Sequence, residues 1–163
     1  VRGIANTVGI DQLLKMLGDL AERTPEIAAR ALYKGAGIVA DRYSAAAASV
    51  TAKERGPGED RKTARYPTPD EKGAMQDCIG IANFRHNGGA EVDTLIGVGQ
   101  GDGGYAEVDG KDKAAMMIAR AVNSGTYFMH KQPVFRKAAR MCKDEAARAV
   151  VAEAERLINE IIK

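Results

Sequence analysis

The side chains best suited to nucleophilic, acid–base or metal chemistry in this 163-residue chain are His86, His130, Cys78 and Cys142. His86 opens the turn signal His86-Asn87-Gly88-Gly89, and His130 falls in a loop-like stretch before Pro133. Neither has a second His, Cys or carboxylate at ligand spacing, so no metal site is expected. The cysteines stand far apart with no CxxC pair, which points to two free thiols rather than a zinc cage or redox motif. Cys78 with either histidine can be drawn as a nucleophile–base pair. That pairing needs a depressed thiol pKa, yet Cys78 opens a strand-like run whose alternate side chains turn inward. The glycine-rich segment Gly99-Gln100-Gly101-Asp102-Gly103-Gly104 superficially resembles a phosphate cradle. It lacks the Lys-Ser/Thr of a P-loop and opens no immediate helix, so it reads as a connector. The expectation is a chain without a catalytic centre, metal or cofactor.

Charge gives a second set of candidates. Lys53, Arg55, Arg61, Lys62 and Arg65 lie in one Gly- and Pro-broken segment, interleaved with Glu54, Glu59 and Asp60 and followed by Tyr66. Residues 53–72 read as an exposed, mobile loop facing a partner or DNA. Over the whole chain, 24 Lys and Arg stand against 22 acidic residues, a net charge of +2 that gives no global field for a polyanion. A small nucleic-acid-binding regulator using Arg61, Lys62 and Arg65 is the alternative from this segment; it demands salt-sensitive binding by the monomer.

The elements that would position these groups follow from spacing. Leu13, Leu14, Leu17 and Leu20 share one face of a short amphipathic helix. Thr24-Pro25 then reads as an N-cap with proline at the first helical position, starting a second helix that runs to about residue 52. Gly35 and Gly37 in its middle would allow a neighbour to approach closely. Asp77 to Phe84 and Ala90 to Val98 flank the His86-Asn87-Gly88-Gly89 turn as a β-hairpin. A further strand could come from the charged loop, from Gly104 to Val108 or from a neighbouring subunit, since two strands alone are marginal. Lys111 to Asn123 returns to helical spacing and Gly125 stops it. A long C-terminal helix follows Pro133, with Phe135, Ala138, Ala139, Cys142, Ala146 and Leu157 on its stripe.

These elements make one α+β domain over residues 1–163: two N-terminal helices, a central antiparallel hairpin or small sheet, and a long C-terminal helix packed on it. Aromatics are only 5% and tryptophan is absent, so close packing of small side chains must supply much of the core. No leader-like start and no run of the ~18 to 20 apolar residues needed to span a bilayer are visible, so no membrane role is expected and the chain is read as made in a cytoplasm.

Two segments carry a family resemblance. Residues 123–138 hold Gly125-Thr126, a short loop, and then Pro133-Val134-Phe135 opening the last helix. Gly73-Ala74-Met75-Gln76-Asp77-Cys78-Ile79 leads into the first hairpin strand. Both resemble the siphophage tail-completion and neck family, whose pattern in the second segment is Thr-Gly-x-Leu-x-x-Ser-Ile; here Lys72, Met75 and Cys78 stand at the Thr, Leu and Ser positions. The Gly-Ile-Asp-Gln-Leu-Leu entry and the alanine-rich second helix are also similar, so the likeness runs along nearly the whole chain in order. It implies a non-enzymatic structural protein of a tailed bacteriophage virion, synthesised in the host cytoplasm. It further implies a hexameric or dodecameric ring at the neck, with head-connector and tail-tube or tail-terminator proteins as neighbours. Phage DNA would pass through the lumen, where the charged loop would repeat around one axis. Gly73, Gly125, Thr126, Pro133 and Phe135 are then fold determinants rather than active-site groups.

Overall fold

The spine of the molecule is a single helix, α1 (Thr7–Ala48), in a computed structural model that describes residues 7–56, 63–86, 91–99, 105–108 and 111–162. This corrects the expectation of two N-terminal helices. Thr24 does not cap a new helix; its hydroxyl donates to the Leu20 carbonyl at 2.7 Å, one turn back, and Pro25 stands inside α1. The apolar positions Leu17, Leu20, Ile27 and Ala31 stay in phase across the proline, so the chain has no reason to turn there. The proline removes one ladder hydrogen bond and leaves the rest of the helix in place.

After Val50 the chain leaves α1 without regular secondary structure. Thr51 pairs reciprocally with the Gln132 amide, N–H to Oε1 at 2.8 Å and Nε2 to carbonyl at 3.0 Å. The expected loop through residue 72 is instead built structure from residue 65 onward. Pro67 and Thr68 are buried, and α2 (Pro69–Asp77) starts at Pro69 with a full capping box between Thr68 and Glu71. The signal Thr68-Pro69-x-Glu71 was present in the sequence, obscured by the prolines and charges around it.

The hairpin forms with the predicted sense. Strands β1 (Ile79–Ile81) and β4 (Ile96–Val98) pair antiparallel, Ile79 with Val98 and Ile81 with Ile96. β2 (Arg85–His86) and β3 (Val92–Asp93) continue the same arms. Ala82 joins the two ladders, its N–H donating to the Leu95 carbonyl and its carbonyl accepting from the Thr94 hydroxyl. The proposed turn at 87–89 lies outside the described residues. A second hairpin, β5 (Tyr105–Val108) with β6 (Lys111–Ala114), takes the first four residues expected to be helical. Lys111-Asp112-Lys113 has no apolar stripe of its own, and helical spacing begins only with α3 (Ala115–Ser124).

α4 (Val134–Ile162) returns antiparallel along α1, which corrects the expectation that the last helix packs on the sheet: its small-residue stripe meets the matching stripe of α1. Arg42 reaches Glu145 at 3.1 Å, while Gly35 lies against Ala146 and Val150. A Cβ at Gly35 would stand 2.4 Å from a Val150 methyl and 3.0 Å from the Ala146 carbonyl oxygen, so glycine sets the closeness of this crossing. Gly37 has open space around it. The core gathers where α1 ends: Ala47, Val50, Met75, Val98, Ile118, Val122, Met129 and Phe135 form one buried cluster. The Phe135 ring meets Tyr43 of α1 edge-on at 5.7 Å.

Candidate functional site

The segment linking α3 to α4 is held from both sides. Gly125 closes α3 with φ 76°, a conformation that favours glycine, and its N–H donates to Ala121. A Cβ there would also come within 2.8 Å of the Lys131 Cβ. Thr126 and Met129 exchange backbone hydrogen bonds, and the Thr126 hydroxyl accepts from the Phe128 N–H. Pro133 supplies the carbonyl that receives the first α4 bond, from Lys137. Phe135 then locks the helix onto Tyr43 and the core. Gly73, by contrast, sits inside α2 with open space about it; the residue that anchors that segment is Met75, fully buried.

The five cations singled out in the charged segment do not act alike. Lys53 and Arg55 are exposed, with the Lys53 ammonium 4.4 Å from the centre of the Tyr66 ring. Tyr66 in turn stacks on His130 at 4.6 Å. Arg61 and Lys62 lie outside the described residues. Arg65 is not a free loop cation at all. Its guanidinium makes two short bonds to the Glu71 carboxylate, 2.6 and 2.7 Å, and a third to the Tyr66 carbonyl. Its backbone pairs with Phe128 and His130. Glu71 is buried and also accepts from the Thr68 N–H, so one carboxylate caps α2 and neutralises Arg65. This brace ties residues 65–71 to the α3–α4 link, and it floors an open groove of about 550 Å³ lined by Met117, Ile118, Ala121, Phe128 and Met129.

Cys78 caps the end of α2, and burial together with the neighbouring Asp77 pushes its thiol above the usual range. A thiol nucleophile requires the opposite shift. Cys142 is buried in α4, and His130 is engaged with Tyr66. His130 is thus placed against the Tyr66 ring, while the His86 side chain lies outside the described residues. Among the described residues no cluster of His, Cys, Asp or Glu has the makings of a metal site, and no helix is long and apolar enough to cross a membrane.

One feature escaped motif-based reading because it is a pattern of absence. Between Ala114 and Lys143 there are six cations, Arg120, Lys131, Arg136, Lys137, Arg140 and Lys143, and not one Asp or Glu. Folding does not correct the imbalance: all six are exposed and none meets a carboxylate of the described residues at ion-pair distance. The Arg136 N–H donates to the Asn123 side chain, which sets the first turn of α4 beside the last turn of α3. A count of charges in sequence order would have found it.

Apolar side chains are exposed both in this corner, at Tyr127 and Met141, and at the opposite end of the molecule. The α4 terminus meets α1 near Arg23 and Ile27, where Leu157 and Ile161 approach. The α1 residues before that point, about 24 Å of helix, extend past α4. There Leu14 is 61% and Leu17 53% exposed. Compared with known protein families, curated proteins and solved structures, the chain matches none.

Proposed function

We propose that this chain is a non-enzymatic structural protein of a tailed-phage particle, completing the tail and joining it to the head by assembling as a ring at the neck. The observation that carries the assembly role is the free end of α1, where Leu14 and Leu17 stand exposed and uncovered by the other described residues. Apolar side chains repeated along one helix face are normally covered, and a second copy or a neck neighbour would bury them. The hairpins point the same way: each ladder has two strands, and such short sheets gain stability when another chain extends them. The phage setting comes from the resemblance of Gly125-Thr126, Pro133-Val134-Phe135 and the Gly73 to Ile79 segment to the tail-completion and neck family. Head-connector and tail-tube or tail-terminator proteins are the partners this reading assigns, with DNA passing through the lumen.

Light scattering across a range of concentration, with electron microscopy of the same samples, tests the reading. Rising mass and closed rings are expected, and Leu14→Gln with Leu17→Gln should abolish them. A mass of one chain at every concentration, alone and with purified tails, would overturn it.

A further inference from the structure

We infer that the exposed basic corner of α3 and α4 is a binding surface for the phosphate backbone of duplex DNA. With six positive charges between Ala114 and Lys143 and a net of +2 overall, the rest of the chain carries a net of −4. The near-neutral total therefore conceals a strongly polar distribution. Within the corner, Arg136, Arg140 and Lys143 follow at i, i+4 and i+7, so they form one row about 10 Å long on a rigid helix. Arg120 stands one turn before Asn123, which the Arg136 N–H contacts, and Lys131 lies against Gly125. Clustered like charges destabilise a fold unless an opposite charge is supplied from outside.

The kind of opposite charge follows from the residues. A protein interface depletes lysine at its centre and mixes signs, whereas phosphate backbones are met by lysine and arginine without acids among them. The row is straight and fixed in spacing, which suits a stiff duplex whose charges recur every ~1.7 Å along its axis. Single strands are instead held on free aromatic faces. Here Tyr66 is covered by Lys53 and His130, and Tyr127, 83% exposed and edge-on to Phe128 at 5.0 Å, offers one stacking face rather than the succession of faces that a strand is held on. As DNA of a particle this ligand rests on the assembly reading; as a surface it stands on charge alone.

The test is fluorescence anisotropy of a labelled random-sequence duplex titrated with the whole chain. If about six phosphates are met, affinity should fall roughly a thousandfold between about 50 and about 200 mM salt. The variant Arg136→Gln/Arg140→Gln/Lys143→Gln should keep the parent's melting midpoint and lower the salt slope by about three. Arg140→Gln alone should lower it by about one, which keeps the test decisive if the triple variant melts early. Lack of binding by the parent at low salt, or an unchanged slope in the variants, would overturn the proposal. So would displacement by poly-glutamate as effective as by unlabelled duplex at equal charge, or a preference for single strands. Assembly is read separately, by mass and microscopy: rings that form without DNA binding sink this surface alone, and binding without rings sinks the assembly reading alone.

Discussion

The link between α3 and α4 and the free end of α1 are opposite kinds of structure within one chain. In the link, a positive-φ glycine, a two-way backbone bond, a bidentate ion pair and a buried ring all fix the same short stretch. In the free end, a helix is held by its own ladder while Leu14 and Leu17 face outward. The contrast separates a stretch fixed by its own chain from one whose apolar side chains stay exposed. Stability should therefore reside in the first region and assembly in the second.

Substitutions can break that division. Phe135→Ala should cost about 3 to 5 kcal/mol, read as a lower denaturant midpoint at unchanged slope. A midpoint equal to the parent's would mean that the link does not anchor α4. Glu71→Ala removes the carboxylate from both Arg65 and the α2 cap, and a loss of about 3 kcal/mol is expected because a part-buried guanidinium then loses its bidentate partner. A loss under about 0.5 kcal/mol, within the range of ordinary surface changes, would show that Arg65 finds water or another acceptor. Gly35→Ala should cost about 2 kcal/mol, since its Cβ meets Val150 and the Ala146 backbone and the helices must part. Thermal melting that rises instead would show that the crossing has room to adjust. The smallest effect sharpens the comparison most: Leu14→Gln with Leu17→Gln should move the monomer's stability by no more than about 0.5 kcal/mol, while changing mass in solution. A large loss of stability would place those leucines in the fold rather than outside it.

The α+β order, the first hairpin and the long last helix were legible because each rests on local signals, namely apolar spacing and a glycine-rich turn. Gly125 and Phe135 were legible for the same reason. Misreadings arose where two local signals competed. Thr24-Pro25 has the form of a helix start, but the apolar stripe keeps its phase across it, and packing against α4 favours the continuous helix. Thr68-Pro69-x-Glu71 is a start signal of the same kind that was realised, within a segment whose composition suggested a loop. Arg65 reads as a free cation in sequence because its partner Glu71 lies across a helix cap that spacing alone does not reveal. The basic corner was missed for another reason: it consists of ordinary residues made distinctive only by the carboxylates they lack.

Pro25 gives the free end of α1 one more property. It cannot donate to the Ala21 carbonyl, so the hydrogen-bond ladder is interrupted close to where α4 runs out. Beyond the interruption the helix runs only from Thr7 to Thr24, little longer than the length, about 12 to 15 residues, below which an isolated helix is marginal in water. Unwinding that begins at the tip therefore has a place to stop before it reaches the packed half. The proline acts as a firebreak, so that the arm can fray and reform while the body of the domain stays intact.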